Sequence, residues 1–176
     1  CGAGRDSFFL AGEGFNLVGL DISSNALRLA SERNQREKTQ CTFVMGTFLH
    51  LPFSEGRFDA AFSNYAIENV SLEEIRKALG EMKRVVKKGG VMLITLHSPK
   101  HWRFGQGKEI ANHEFLTFQM VKNRKVKIIT HFFERAEAER LFEDMGLKLL
   151  SISEVLRIDE KQRAHWIATL ENSQKA

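Results

Sequence analysis

The chain has 176 residues, which is enough for one domain of ordinary size and too few for two independent enzyme-sized units. Hydrophobic residues make up 43% and charged residues 27%, close to globular averages, which excludes a disordered or collagen-like chain. Apolar runs such as 91–96 are far shorter than the roughly 18 residues of a membrane-spanning helix, so we expect a protein of the cytoplasm without a leader segment. The two cysteines, Cys1 and Cys41, are too few for a disulfide scaffold or a four-ligand zinc site.

The net charge of +4 is concentrated in one segment. Residues 98–127 carry seven basic side chains against two acidic ones, a local charge of +5. The basic residues are Lys100, Arg103, Lys108, Lys122, Arg124, Lys125 and Lys127, and the acidic ones are Glu109 and Glu114. This distribution predicts either a solvated basic loop or hairpin, or a surface that attracts an anionic substrate or nucleic acid.

The first elements alternate between helix and strand. The opening turn, Cys1-Gly2-Ala3-Gly4-Arg5-Asp6, ought to follow a strand, so we expect at least one upstream element to be missing. A short helix through 8–10 should end at Gly12 or Gly14. A strand from Phe15 to Leu20 closes at Asp21, and Ser23 or Ser24 can cap the next helix.

The alternation continues through the next part of the chain. The pattern predicts strands at 42–45 and 58–63. Ser71 and Glu74 have capping-box spacing, so a helix should start there and bury Ile75, Leu79, Met82 and Val86. The run Lys87-Lys88-Gly89-Gly90 should end that helix before an apolar strand at 91–96.

Strands that alternate with helices predict an α/β fold with a doubly wound, mostly parallel sheet. We expect a single domain over 1–176 that lacks its first central strand. A long insertion at 98–133, with short strands at 118–121 and 126–129, would belong to a substrate site. The terminal elements should be a helix containing Ala138, Leu141, Phe142 and Met145, and two segments, 147–155 and 165–170, paired antiparallel at the sheet edge.

Residues at the ends of two predicted strands suggest a nucleoside site. Ligands of open parallel sheets bind at the carboxyl ends of the strands. Gly2 and Gly4 allow a close approach of the backbone, and Asp21, 17 residues beyond Gly4, is placed to accept hydrogen bonds from a ribose. Ser7 replaces the third glycine of the dinucleotide fingerprint and no Gly-Lys-Ser/Thr loop occurs, which weakens the nicotinamide, flavin and nucleotide-triphosphate alternatives.

Several motifs occur in the order found in one known family. They are Cys1-Gly2-Ala3-Gly4-Arg5-Asp6, Val18-Gly19-Leu20-Asp21-Ile22-Ser23, Leu51-Pro52-Phe53, Phe58-Asp59 and Val85-Val86-Lys87-Lys88-Gly89-Gly90. The chain thereby resembles the class I S-adenosylmethionine-dependent methyltransferases, in particular the type 11 group, over roughly its first hundred residues. The insertion further resembles small-molecule enzymes near the tellurite-resistance branch.

The resemblance implies cofactor contacts near the N-terminus. Gly2, Ala3 and Gly4 would line the methionine part of S-adenosylmethionine. Asp21 would hold the ribose hydroxyls, and Ile22 would cover one face of the adenine.

Further contacts are implied by the later motifs. Thr47 stands where the family commonly has an Asp that reads the adenine amino group, and Phe48 could pack against the adenine. Ser63, Asn64 and Tyr65 would lie beside the methionine moiety and the transferring methyl.

Methyl transfer from a sulfonium is an in-line displacement in which positioning supplies much of the acceleration, so a base is optional. For a hydroxyl, thiol or protonated amine acceptor, His131, His97, Tyr65 or Glu68 could act as the base. Each also has a plainer interpretation, because Tyr65 could be part of the wall, Glu68 could be solvated and His97 could be a hydrogen bonder at a strand end.

Four histidines, His97, His101, His113 and His131, lie in or beside the insertion. His97 and His101 are four residues apart, but Pro99 between them argues against a helix that would present both on one face. No carboxylate or Cys pattern completes a metal site, so we predict no metal. The aromatic residues of the insertion could form an acceptor pocket or a satellite core; they are Trp102, Phe104, Phe115 and Phe118.

We therefore expect a methyltransferase that uses S-adenosylmethionine and acts on a small molecule. Three alternatives stay open: an RNA or protein methyltransferase that holds its partner with the basic insertion, a non-catalytic nucleotide-binding domain, and a nicotinamide-dependent oxidoreductase.

Overall fold

The computed structural model describes residues 1–121, 123–158 and 160–173, except for the side chain of Val121. Lys122, one of the predicted basic residues, lies outside the described residues. Contacts divide the chain into two compact units, 1–52 and 53–176, which are described separately below. Among the described residues, no helix has the length and apolarity that crossing a bilayer requires.

The first unit contains two helices and two parallel strands. The elements are α1 (Arg5–Gly12), β1 (Val18–Asp21), α2 (Ser24–Glu37) and β2 (Thr42–Met45). Strands β1 and β2 pair in parallel, with Asp21 opposite Met45 at their carboxyl ends. Ser23 caps α2, because its hydroxyl oxygen accepts a hydrogen bond from the Ala26 N–H at 3.3 Å. Strand β1 begins three residues later than the predicted Phe15, which is 62% exposed.

The second unit contains two helices and seven strands among its described residues. They are β3 (Phe58–Ser63), α3 (Leu72–Val85), β4 (Val86–His97), β5 (Lys108–Ala111), β6 (Glu114–Val121), β7 (Arg124–His131), α4 (Arg135–Asp144), β8 (Lys148–Ile158) and β9 (Gln162–Glu171). One sheet has the order β3-β4-β9-β8, in which β3 and β4 are parallel and the other pairs antiparallel. The predicted insertion forms the second sheet, β5-β6-β7, which is antiparallel throughout.

Helix α3 starts with the predicted capping box. Ser71 Oγ accepts from the Glu74 N–H at 3.3 Å, and the Glu74 carboxylate accepts from the Ser71 N–H at 3.0 Å. The helix buries one face, including Ile75, Leu79 and Met82, against β4. This burial stabilises the helix more than its intrinsic propensity could.

The junction after α3 differs from the predicted turn. Strand β4 begins at once at Val86 and includes residues 87–90 with a shift in register against β3, so this run is a bulged strand. Asn172 explains why the bulge is stable, because its buried side-chain amide donates to the carbonyls of Lys83 at 2.9 Å and Val86 at 2.8 Å. The C-terminal pair also differs in detail, since β8 forms the edge and β9 lies inside the sheet between β4 and β8.

Candidate functional site

In the first unit, the predicted ribose-binding acid ends strand β1. Asp21 Oδ2 accepts the Gly2 N–H at 2.7 Å, and Oδ1 accepts the Ser23 N–H at 2.9 Å. Partial burial on its own would raise the pKa of Asp21, but the hydrogen bonds from Ser23 and Gly2, together with the positively charged Cys1 amine 3.1 Å from Oδ2, outweigh it and lower the pKa. The side chain keeps 21% of its surface exposed. Asp21 is therefore a fixed, ionised carboxylate, and its Oδ1, which accepts one hydrogen bond, keeps a lone pair for a ligand hydroxyl.

The glycine turn beside Asp21 serves two purposes. Gly2 has a φ of 56°, and a Cβ at this position would have no atom within 4 Å, so the space next to its backbone is open. Gly4 has a φ of 85°, but a Cβ there would lie 2.6 Å from the Phe8 ring. Gly4 is thus required by the packing of α1, whereas Gly2 and the exposed Ala3 leave room for a ligand.

The predicted adenine contacts are Ile22, which directly follows β1, and Thr47 and Phe48, which lie just beyond β2. Ile22 is 77% exposed, so its aliphatic side chain is accessible to a ligand. Thr47 is half-buried and its hydroxyl oxygen accepts the Leu49 N–H at 3.2 Å, so it is committed to a local turn. Phe48 is half-buried next to it.

These residues fit a bound nucleoside. The Asp21 carboxylate matches hydroxyl donors, the open backbone at Gly2 admits close approach, and Ile22 offers an apolar face. Thr47 is the weakest part of the match, because its hydroxyl already has a partner.

In the second unit, three predicted residues follow the end of β3. Ser63 is buried and its hydroxyl has no hydrogen-bond partner among the described residues. Asn64 is half-buried. Tyr65 is 50% exposed, has a φ of 54°, and donates its N–H to Thr95 Oγ1 at 2.8 Å. A left-handed backbone at a bulky residue is held only where the surroundings enforce it, which is typical of functional positions.

A group of buried ionisable residues lies close to Tyr65, and we call it the histidine cluster. It consists of Glu68, His97, His101 and His165, each no more than 5% exposed. Glu68 Oε2 lies 3.7 Å from Nε2 of both His97 and His165. The Tyr65 ring contacts the edge of His165, with ring centres 4.7 Å apart. The burial of Glu68 contradicts the plainer interpretation of the sequence, in which this side chain is solvated.

Burial controls the protonation of the histidine cluster. It lowers the pKa of His97 to about 2, helped by the nearby His101 and His165, and it lowers those of His101 and His165 to about 4. The same burial raises the pKa of Glu68 to about 7. All three imidazoles are consequently neutral at physiological pH.

His131 lies in a different group of side chains. Its Nε2 is 2.9 Å from the Glu137 carboxylate, and its Nδ1 is 3.7 Å from Glu114. Glu114 in turn accepts the Leu72 N–H at 2.7 Å, at the start of α3. Burial lowers the pKa of His131 although both carboxylates oppose this shift. Phe132, the residue after β7, packs on His97, whereas the His131 ring contacts Phe133.

An open cleft of about 460 Å³ lies next to the His131 group, and His131, Glu114 and Glu137 line part of it. The predicted gathering of His97, His101, His113 and His131 is thus divided. His97 and His101 join His165, while the His113 ring contacts Phe104.

The insertion combines charged and aromatic side chains. Lys100 forms an ion pair with Glu154, and Arg103 donates to Asn69 at 3.2 Å. Lys125 lies over the Phe118 ring at 4.4 Å. Of the predicted aromatic group, Phe104 and Phe115 pack on Phe132 as a small core, whereas Phe118 is 54% exposed.

Two functional candidates were missed in the sequence. His165 has no local pattern around it, and only its position opposite His97 in the β4–β9 pairing brings it into the histidine cluster. Glu137 lies in the first turn of α4, and nothing in the sequence signals that it contacts His131.

Comparison with known sequences gives a consistent family. The sequence profile described as a methyltransferase domain matches residues 1–94. A 2-phytyl-1,4-naphtoquinone methyltransferase of Nostoc punctiforme is 35% identical over 107 residues, which cover 57% of this chain and 46% of that protein. A demethylmenaquinone methyltransferase of Renibacterium salmoninarum is 29% identical over 144 residues, which cover 81% of this chain and 57% of that protein. The chain thus spans about half the length of these curated relatives.

Solved structures share the fold. A methyltransferase from Methanosarcina mazei, described as SAM-dependent, superposes with a TM-score of 0.80 at 20% identity, covering 97% of this chain and 88% of that one. The Burkholderia thailandensis 1,6-didemethyltoxoflavin-N1-methyltransferase, solved with its substrate and S-adenosylhomocysteine, has a TM-score of 0.74 at 15% identity, covering 98% and 68%. These similarities confirm the expected Rossmann-like α/β fold.

Proposed function

Because the chain belongs to the methyltransferase domain family, we propose that it transfers the methyl group of S-adenosylmethionine to a small molecule. The observation that carries this proposal is Asp21, ionised and fixed at the end of β1 by the amides of Gly2 and Ser23. The expected location in the cytoplasm is part of the same proposal.

The first unit would hold the adenosine. Asp21 would accept hydrogen bonds from the ribose hydroxyls, and Ile22 would shield one face of the adenine. Ala3 and the open backbone at Gly2 would admit the methionine part. Roles for Gly4, Thr47 and Phe48 stay predictions, and the packing of Gly4 on Phe8 supports a structural role for this glycine.

When bound, S-adenosylmethionine supplies a methyl group on a positively charged sulfur. In the second unit, Tyr65 offers a half-exposed aromatic ring on a rigidly held backbone and would contact the acceptor. Ser63 and Asn64 stay predicted contacts of the methionine moiety. Orienting the acceptor is the main task of such residues, because alignment alone lowers the barrier substantially.

Three of the four predicted bases, His97, His131 and Tyr65, differ in how well their surroundings suit that role. Burial keeps the pKa of His97 near 2, so His97 does not retain a proton at neutral pH. His131 is already hydrogen-bonded to Glu137. Tyr65 is the most accessible of the three and is the one that we favour for contact with the acceptor.

Relatives and local charges favour a small acceptor. Related enzymes are named for quinone substrates, which are planar aromatic molecules. Part of the basic insertion is engaged within the chain, since Lys100 pairs with Glu154 and Lys125 lies on Phe118. We therefore propose an aromatic small molecule as the acceptor, in preference to RNA or protein.

Calorimetric titration with S-adenosylmethionine tests the cofactor, with NAD as the comparison. We expect binding of the first only, and a folded chain that binds NAD instead would overturn the proposal. Turnover is then measured as S-adenosylhomocysteine formed with a panel of quinols and phenols. A steep salt dependence of acceptor binding, lost on neutralising Arg124, Lys125 and Lys127, would instead indicate a nucleic-acid acceptor.

A further inference from the structure

We propose that the histidine cluster binds a first-row transition-metal ion such as Zn²⁺, with Glu68, His97 and His165 as its protein ligands. This site lies entirely within the second unit and does not depend on the cofactor. It differs from the sequence-based expectation, which included no metal.

The three ligands come from different parts of the chain and meet at one point. His97 ends β4, and His165 is its direct partner in the neighbouring strand β9. Glu68 belongs to the segment between β3 and α3, and its Oε2 is 3.7 Å from Nε2 of each imidazole. Because ligand atoms bound to one Zn²⁺ lie about 3.3 Å apart, movements of about 1 Å or less would complete the coordination.

Unused hydrogen-bonding capacity supports a cation at this point. Both ring nitrogens of His97 and Oε1 of Glu68 are buried without a partner among the described residues. Buried polar groups normally have partners, because losing hydration without compensation is costly. A bound cation would give a ring nitrogen of His97 a partner and would balance the negative charge of the Glu68 carboxylate.

The state of the histidines also suits a metal. An imidazole binds a metal through the lone pair of an unprotonated ring nitrogen, and the ring nitrogens of His97 have no hydrogen-bond partner among the described residues. The Thr95 hydroxyl is a hydrogen-bond partner of Glu68 and fixes this carboxylate, as outer partners of metal ligands do.

His101 has a supporting position. A ligand atom of each of His97, His101 and His165 lies within 4.8 Å of the others. However, Nδ1 of His101 accepts the Arg103 N–H at 3.1 Å, so its proton resides on Nε2. We therefore assign His101 as a neighbour of the site whose Nε2–H is a hydrogen-bond donor, and not as a metal ligand.

Two imidazoles and one carboxylate define the class of ion. This donor set suits Zn²⁺, Fe²⁺ and Co²⁺ and does not suit Mg²⁺ or Ca²⁺, which prefer oxygen ligands. Three protein ligands leave a coordination position free for a water or a small ligand. The positive charge of Arg103, which acts on Glu68 and His97, opposes the cation but favours an anionic oxygen or sulfur at that free position.

The experiment is metal binding by the untagged chain after dialysis against a chelator. Zn²⁺ is titrated in competition with a chromophoric chelator, and Co²⁺ is added separately to record its visible absorption. We expect one ion per chain. His97→Gln and Glu68→Gln should each weaken binding by at least about 10- to 100-fold, the loss seen when only an outer partner is removed. His50→Gln, a substitution of an exposed histidine in the first unit, is the matched control.

Each result decides the matter. One-to-one binding that falls in both variants and not in His50→Gln supports the site, and using two variants guards against one that does not fold. Binding that is absent, or that is equal in the wild type, His97→Gln and Glu68→Gln, would overturn it. Cofactor titration of the same samples is a separate readout, so a failed metal site and a failed methyltransferase proposal are distinguishable.

Discussion

Replacing Asp21 with asparagine tests the central contact of the first unit. In the folded chain, both carboxylate oxygens accept backbone N–H groups, one from Gly2 and one from Ser23. An asparagine side chain has only one oxygen, so its NH₂ group must face one of these N–H groups whichever way it is turned. The substitution removes the negative charge and also disturbs the turn that holds it.

The expected loss follows from the hydrogen bonds at stake. A buried donor or acceptor left unpaired costs about 1–3 kcal/mol. For ribose hydroxyls that lose their acceptor, this corresponds to about a 5- to 150-fold weaker affinity for S-adenosylmethionine, at 1.4 kcal/mol per tenfold. The free energy of unfolding should fall as well, because the Gly2 and Ser23 amides lose an ionised acceptor.

The assay combines calorimetry with urea unfolding, and Ser23→Ala is the matched control. That variant loses the helix cap to Ala26 but keeps the Ser23 N–H and its bond to Asp21. It should lower stability by about 0.5–2 kcal/mol while cofactor affinity stays near wild type. Unchanged affinity in Asp21→Asn, or an equal loss in Ser23→Ala, would refute the assignment of Asp21 to the ribose.

The pH dependence of stability gives a second check on Asp21. Its pKa in the folded chain is below the ordinary value of 3.8. A carboxyl with a lowered pKa stabilises the fold above its unfolded pKa and loses this effect as the pH falls through the folded one. The stability difference between wild type and Asp21→Asn should therefore be constant near neutral pH and shrink below about pH 3.8. A difference that grows on acidification would contradict the lowered pKa.

Three further predictions concern the frame around the sites. Asn172→Ala leaves the carbonyls of Lys83, Val86 and Lys87 without their donor and should lower the free energy of unfolding by about 2–3 kcal/mol in urea, whereas a loss below 0.5 kcal/mol would show that water replaces the amide. Glu114→Ala removes the acceptor of the Leu72 N–H and should cost about 1–3 kcal/mol by the same measurement, compared with Glu139→Ala on the solvated side of α4, where little change is expected. Iodoacetamide should modify Cys41 slowly in the folded chain and much faster in urea, since burial shields its thiol and raises its pKa; peptide mapping that finds equal rates would show that the first unit opens readily.

Local signals in the sequence were sufficient for several elements. Strands β2 and β3 have the predicted bounds because each is a short apolar run between polar turns. Helix α3 begins where Ser71 and Glu74 predict it, since both halves of a capping box lie within four residues. The order of the glycine turn, Asp21 and the later motifs was sufficient to predict the family.

Features that depend on distant partners were not predictable. The run 87–90 has the composition of a turn, but the amide of Asn172, more than 80 residues later, holds it as a bulged strand. The histidine cluster depends on His165, which joins His97 only through strand pairing. Spacing also could not show that Phe132 packs on His97 while His131 lies with Glu114 and Glu137.

The pairing of β4 with β9 has a consequence for how this chain can change. His97 stands opposite His165, and Leu96 opposite Trp166. Because side chains alternate between the two faces of a sheet, deleting one residue early in β9 would turn the imidazole of His165 to the far side and bring the Trp166 indole into its place. Evolution can thus replace individual side chains here step by step, but the loss of a single residue before His165 would abolish the cluster in one event.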